Sequence, residues 1–513
     1  MKWSENSPSP IGWERARVRV YGERKRQTLN KHWGHKPLSP LTPTLSHPMG
    51  EGGEQPVHGK APPPRGFALL VVLVVIMLAS MVVMSLMFRL KAEETAAYAS
   101  AGSEQAWQAV MSGVQEALRV VKRSPAGSLD WQDAPRFFHE RLVYDDGSDR
   151  WYFTIYSAGG PDSLEEIRYG LTDEASKLNL NTATESNLMR LPKMTAPLAQ
   201  AALDFLDPDD TPRPEGAEQE YYDTLPVPYA VRNGPLATLD ELLLVRGFSL
   251  SLLDGEDANR NFILDPNEND GDQSFPPDDN DSKLDLGLRQ HLTVSSWEPN
   301  QDKNGVPRTN LNDPQDPLPK ADLPDALVKY IQTLRTNNIA MAGPADLLEA
   351  KTKIQDASGR ETEVSSGVGK EELPQALDLF TTSSEERLVG LVNVNTASAQ
   401  VLATVPELDN ALAESIVSAR RGLAADKRQT IAWLYTEGVV DAALFKKIAP
   451  YLTTRSFQYS FHVVGYGVPS GCFRVFEVII NTAEEGPEIS YLRELTRLGL
   501  PFKIEIAKEE TGG

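Results

Sequence analysis

Twelve residues, DANRNFILDPNE, place oxygen-bearing side chains at Asp257, Asn259, Asn261, Asp265 and Glu268. In an EF-hand-like loop these are positions 1, 3, 5, 9 and 12, and Ile263 at position 7 would offer its backbone carbonyl. One chain turn can wrap a hard cation in this way. Two departures stand against the pattern: Phe262 occupies position 6, where Gly is expected, and the acidic run Asn269-Asp270-Gly271-Asp272 replaces a following helix. The expected cofactor is calcium, because the run DPNENDGDQSFPPDDNDSKLD would repel itself without cations. A second ion among Asp270, Asp272, Asp278, Asp279 and Asp281 is left open by their spacing.

Other residues offer less chemistry. Asp207, Asp209 and Asp210 could serve a carboxylate-based or metal-assisted hydrolase, but they sit in a Pro-rich stretch without a nucleophile, His partner or phosphate loop. They read as a surface acidic turn. His139, His291 and His462 are far apart in sequence, and four further His precede the first apolar run. No catalytic residue is assigned, and no enzyme is expected. The only cysteine, Cys472, excludes an intramolecular disulfide and a thiolate metal cluster, and reads as a small buried apolar residue. A net charge of -21, with the basic residues weighted to the start, argues against nucleic acid as a partner.

These residues need elements to hold them. The stretch FALLVVLVVIMLASMVVMSLMF, Phe67 to Phe88, is uncharged and about as long as a hydrocarbon core of roughly 30 Å requires. It predicts a single-pass helix in membrane lipid, with Lys60 and Arg65 keeping its N-terminal side cytoplasmic and the bulk of the chain exported. A signal peptide is the rival reading, but the apolar stretch is long for one and helical spacing continues through Ala97, Ala101, Trp107, Val110, Val114 and Leu118. One helix of about fifty residues is therefore expected. Residues 1–66, rich in Pro, Ser, Gly and basic side chains, form a disordered leader.

Strands are expected at 150–160, 166–172, 457–466, 472–481 and 491–496, where aromatic and β-branched residues alternate with polar ones. Almost 300 residues of helical and loop character lie between the two groups, which predicts an α+β fold: a helical unit inserted into a small sheet-on-helix unit. The insert contains a duplication. KLNLNTATESNLMRLP (177–192) aligns with LVNVNTASAQVLATVP (391–406), sharing Asn-x-Asn-Thr-Ala. In each copy Asn-Thr-Ala is expected to cap a helix, and a Thr-led helix follows, TLDELLLVRG (238–247) and TIAWLYTEG (430–438). The arrangement looks like tandem helix-hairpin-helix modules and raises a rival function, a membrane-anchored DNA-binding or uptake protein. Such a grip needs Gly-rich hairpins, whereas these read PKMTAPLAQ and PELDNALAE.

Arg65-Gly66 directly before Phe67-Ala68-Leu69-Leu70, followed by the long helix, resembles the signal of type IV pilins and pseudopilins. The stretch from Asp204 to Gly247, with KLNLNT, EPNQDKNGVPRTNLN (298–312) and LVNVNTA in the same order, resembles the K-type minor pseudopilin of the type II secretion system, general secretion pathway protein K. The resemblance implies several things. A prepilin peptidase would cut after Gly66 and methylate Phe67. Val71 stands where most pilins carry a glutamate, a departure peculiar to the K type. The fold would be a long assembly helix and a pilin-like α/β unit carrying a large α-helical domain. The protein would cap the pseudopilus tip with I- and J-type minor pseudopilins and support export across the outer membrane. Prepilin leaders being shorter than this one, translation is expected to begin downstream of Met1. The implied organisation is a leader at 1–66, a transmembrane helix at 67–88, helix continuation and first strands at 89–172, an insert at 173–452 with its acidic loop at 254–285, and closing strands at 453–513.

Overall fold

The structure is a computed structural model that describes residues 67–160, 165–271, 273–320, 322–355, 361–484, 486 and 488–503. The leader with Gly66, and Asp272 of the acidic run, lie outside the described residues. Contacts divide the chain into two compact units, Met1–Met81 and Val82–Gly513.

Within the first unit the described residues form the opening of helix α1 (Phe67–Arg123, 57 residues). The most apolar window of α1 has a mean hydropathy of 3.1, so the helix is long and apolar enough to cross a membrane. Side chains from Phe67 to Val75 are exposed, as lipid-facing side chains would be.

In the second unit α1 changes character. Gly102, Ala106, Ala109, Val110, Gly113, Val114, Ala117 and Leu118 recur at helical spacing and are buried. They lie on five antiparallel strands: β1 (Arg141–Asp145), β2 (Arg150–Ala158), β3 (Gln458–Val468), β4 (Phe473–Asn481) and β5 (Glu488–Glu494), which neighbour one another in that order. Alternation along the strands sorts the side chains. Phe153, Ile155, Phe461, Val463, Val478 and Ile480 join the helix core, while Tyr156, Val464, Tyr466 and Val475 pack on the other face. Each fully buried Phe, Ile or Val contributes roughly 1.5–3 kcal/mol. Gly113 lets the helix lie close, since a Cβ there would stand 3.0 Å from both Phe153 and Val463.

The expected strand at 166–172 is reduced to the pairs Ile167–Arg168, beside β2, and Thr172–Asp173, beside β3. Strand β1 was not foreseen. All five of its residues are exposed, so no buried alternation marks it in the sequence. Cys472 is only partly buried, because it follows the Gly471 turn at the mouth of β4.

Between β2 and β3 the two copies of the duplication fold alike. Leu178–Asn179 pairs in parallel with Leu292–Thr293, and Val392–Asn393 pairs in parallel with Leu452–Thr453. Each pair brackets a short helix (Glu185–Leu188; Ala399–Leu402), a turn, a longer helix α2 (Ala196–Leu206) or α3 (Asn410–Arg421), and further short helical turns. The first copy has a core around Leu188, Phe205, Tyr222 and Leu242, the second around Ile416, Trp433, Leu434 and Phe445. The Asn-Thr-Ala residues do not cap the helices. Thr184 and Ser398 do, accepting from Asn187 N–H and Val401 N–H. The first Asn of each copy instead holds a turn, Asn179 Oδ1 accepting from Asn181 N–H and Asn393 Oδ1 from Asn395 N–H, each at 3.0 Å. The Thr-led helices shrink to a 3-10 stretch, Leu239–Leu244, and a single turn, Trp433–Thr436.

Candidate metal loop and assembly elements

The loop from Asp257 to Glu268 curls on its own first residue. Asp257, 3% exposed, accepts from Asn261 N–H (3.0 Å) and Phe262 N–H (3.1 Å), the amides of positions 5 and 6. Asn259 Oδ1 accepts from Asn261 N–H at 3.0 Å and Asn261 Oδ1 from Ile263 N–H at 2.8 Å. Glu268, 1% exposed, closes the curl, its two oxygens accepting from Ala258 N–H (2.8 Å) and Asp265 N–H (3.1 Å). Phe262, which departs from the expected Gly, nonetheless has φ 66°, the left-handed turn that the Gly would have supplied.

Burial and the Glu268 charge push Asp257 up to about 7, and burial first of all also raises Glu268. Two acidic groups enclosed together with raised pKa are what a bound cation would relieve. The donor set is all oxygen and suits a hard ion. Asp265 Oδ2 now accepts from the amides of Asn259 (2.7 Å) and Asn261 (3.0 Å), so an ion would take over the role of those two N–H groups.

The loop is also a seam. Arg260 Nη2 reaches both oxygens of Glu477 on β4 at 3.1 Å, with both side chains largely buried. Phe262 stacks on His462 of β3 at 4.5 Å and meets the edge of Tyr156 of β2 at 6.2 Å. Asn261 Nδ2 donates to Pro501 O at 3.1 Å. The order of the loop is thereby linked to the sheet.

A second seam is centred on Asp173, 1% exposed, where the chain leaves the sheet. Its Oδ2 accepts from Asn393 Nδ2 (2.8 Å), Thr396 Oγ1 (2.7 Å) and Ser456 Oγ (2.7 Å), and its Oδ1 from Ala175 N–H (3.0 Å). Even with these donors, burial pushes the carboxyl up to about 6. The two hairpins meet at a third seam. Arg190 Nη1 donates to the carbonyls of Ala403, Val405 and Leu408 at 2.9–3.1 Å, and Asn187 Nδ2 to Thr404 O at 2.8 Å. Lys193 and Glu407, at matching places in the two hairpins, both have positive φ.

The remaining sequence candidates scatter. Phe67 and Val71 are exposed on α1. His139 stands against Tyr169, whereas His291 and His462 are buried and held below their usual pKa, His291 at about 4. Asp209 and Asp210 are exposed, but Asp207 is not a surface group: it turns into a buried cluster with Asp204 and Glu218, neither of which the sequence reading singled out as a site.

The family described as "Type II secretion system (T2SS), protein K", in its first domain, matches residues 172–255. No curated protein matches the chain. Among solved structures, a chain of the GspK-GspI-GspJ complex from the enterotoxigenic Escherichia coli type 2 secretion system is similar at 12% identity and a TM-score of 0.35, over 79% of this chain and 99% of that one. The match at 172–255 falls where the first Asn-x-Asn-Thr-Ala copy and the whole Asp204–Gly247 stretch lie, so it is this part of the insert that is similar to the first domain of protein K.

Proposed function

We propose that this chain caps the tip of a type II secretion pseudopilus, initiates its assembly and so supports export of folded proteins across the outer membrane. The observation that carries the reading is the union, in one chain, of a protein K domain at 172–255 with an apolar helix whose side chains from Phe67 onward are uncovered. Such a helix needs lipid before assembly and neighbouring helices after it. The insert, taken as 173–452 within a pilin-like unit of 89–172 and 453–513, is bulky enough to prevent another subunit from stacking above. The anchor would lie in the bacterial inner membrane with its N-terminus cytoplasmic and the bulk of the chain periplasmic.

Several finer parts belong to the same proposal. A prepilin peptidase cuts between Gly66 and Phe67 and methylates Phe67. Val71 is consistent with a first subunit, which has no earlier amine to neutralise. The loop of Asp257, Asn259, Asn261, Ile263, Asp265 and Glu268 holds calcium, which would supply the positive charge that its enclosed carboxylates lack and stiffen the seam to the sheet. The duplicated hairpins serve packing within the chain rather than DNA: the second is occupied by Arg190 and Asn187 of the first. The chain is read as structural and not as an enzyme. I- and J-type minor pseudopilins are the proposed partners, by analogy with the complex named above. Affinity purification from a secreting cell tests this: both partners should co-purify in fixed ratio, and their absence alongside intact secretion in a deletion strain would overturn the reading.

A further inference from the structure

The outer face of the sheet carries a polar row: Tyr156, His462, Glu477 and Arg493 stand in register across β2, β3, β4 and β5. Between this face and both repeats of the insert lies a cavity of about 880 Å³. His462 and Glu477 line it from the sheet, Arg260 and His291 from the first repeat, and Asn395 and Arg428 from the second.

Its walls gather polar atoms that nothing in the chain answers. Buried polar groups ordinarily find a partner. Eleven buried side-chain atoms among the described residues have none, and five of them line this cavity: Arg260 Nη1, His291 Nδ1, His462 Nδ1, Asn395 Oδ1 and Arg428 Nε. Arg260, His291, His462 and Asn395 are only 2–7% exposed. The duplication makes one of these gaps plain. In the first copy Asn181 Oδ1 accepts from Leu236 N–H at 2.8 Å. Its counterpart Asn395 keeps the matching donor contact, Nδ2 to Arg428 O at 2.9 Å, but its Oδ1 is left on the cavity wall without a donor.

The five atoms are mixed in kind. The guanidinium nitrogens of Arg260 and Arg428 donate, Asn395 Oδ1 accepts, and a neutral imidazole nitrogen does one or the other. Burial holds both His below their usual pKa and therefore neutral. Seven basic and eight acidic side chains line the cavity, and ion pairs join Lys177 to Glu174, Arg260 to Glu477 and Arg289 to Asp254, so the walls select no net charge. A carboxylate or phosphate would answer the donors alone. A hydroxyl both donates and accepts, and answers all five. Phe262 and Tyr491, both half-buried, add ring surface for the apolar faces of a ligand.

We propose that this cavity binds an uncharged, hydroxyl-rich ligand, an oligosaccharide of roughly two or three rings for a pocket of this size, held by Arg260, His291 and His462 on one side and Asn395 and Arg428 on the other. The inference goes beyond the export reading and does not rest on it.

The test uses the full chain in lauryldimethylamine oxide, a detergent without a sugar headgroup, at constant calcium. Maltotriose, cellotriose and chitotriose are the probes, followed by saturation-transfer NMR and isothermal titration calorimetry, with acetyl-tetraglycine amide as a neutral peptide comparison. At least one trisaccharide should bind saturably at one site per chain. Gln290→Trp, which sets a bulky ring in place of an exposed side chain lining the cavity, should abolish that binding. Arg428→Ala should weaken it about 10-fold, the loss of one hydrogen bond from a charged donor. If one variant does not fold, the other carries the readout. Binding of none of the three sugars would leave the cavity to water alone and overturn the proposal. Unchanged affinity in a folded variant would place the sugar elsewhere, and tighter binding of the peptide than of any sugar would make the ligand class wrong; either result overturns it equally.

Discussion

Replacing Asp173 by Ala removes the acceptor that joins the entry to the insert, the second repeat and the return strand. Four donors converge on it, from Ala175, Asn393, Thr396 and Ser456. Below its folded pKa the carboxyl is neutral, and at roughly 1 kcal/mol for each bond to a neutral acceptor their loss costs about 4 kcal/mol. Against this stands the burial of the charge. A folded pKa of about 6, against 3.8 for the ordinary group, means that ionisation at neutral pH costs the native state about 3 kcal/mol, which the Ala variant no longer bears. The net expectation at pH 7 is a loss of about 1 kcal/mol. Because the folded pKa is raised, the contribution is fully present below the unfolded pKa near 4 and is lost as pH rises through about 6. Urea unfolding of the full chain in detergent, followed by tryptophan fluorescence between pH 4 and 7, reads both effects. The Ala variant should lose more at pH 4, about 4 kcal/mol, than at pH 7, about 1 kcal/mol. A loss below about 0.5 kcal/mol at either pH, within the range of ordinary surface substitutions, or a loss independent of pH, would refute the reasoning.

Other expectations concern the remaining seams. Asp257→Ala with Glu268→Ala should abolish the rise in melting temperature that calcium produces through the loop, measured by differential scanning fluorimetry; an unchanged response would remove calcium from the 257–268 loop. Arg260→Ala leaves Glu477 buried without its partner and should cost about 3 kcal/mol, with much of that recovered when Glu477→Gln is added, as a double-mutant cycle by urea unfolding would show. Arg190→Ala strips three carbonyls of the second hairpin of their shared donor and should cost about 2 kcal/mol. Its signature is faster amide exchange at 403–409 with little change at β3 and β4.

The features most legible in the sequence were those with strong periodicity. The uncharged run from Phe67 and the small residues that follow at helical spacing marked α1 nearly to its end at Arg123. Strands β2, β3 and β4 showed through their aromatic and β-branched alternation. RLVYD of β1 carried no such signal, because an edge strand with every residue exposed has no inner face to pattern. The duplication was visible in Asn-x-Asn-Thr-Ala, but its purpose was misread, since Asn is favoured both at helix caps and in turns. Its closing half, Leu292-Thr293-x-x-Ser296 and Leu452-Thr453-x-x-Ser456, went unnoticed as too short, although both strands complete the same parallel pair. The loop at 257–268 was legible because its donors are contiguous. Asp204, Asp207 and Glu218 were not, because a helix end and a Pro-rich return bring them together, and only the buried, donorless Glu218 reveals the cluster.

The central claim, that α1 is a processed assembly helix rather than an ordinary anchor, is tested most directly by the mature N-terminus. Mass spectrometry of the N-terminal peptide from chain purified from its own membrane should find N-methylated Phe67 when prepilin peptidase is active and the uncut Gly66-Phe67 junction when it is not. A chain that still begins upstream of Gly66 with an active peptidase would contradict the account.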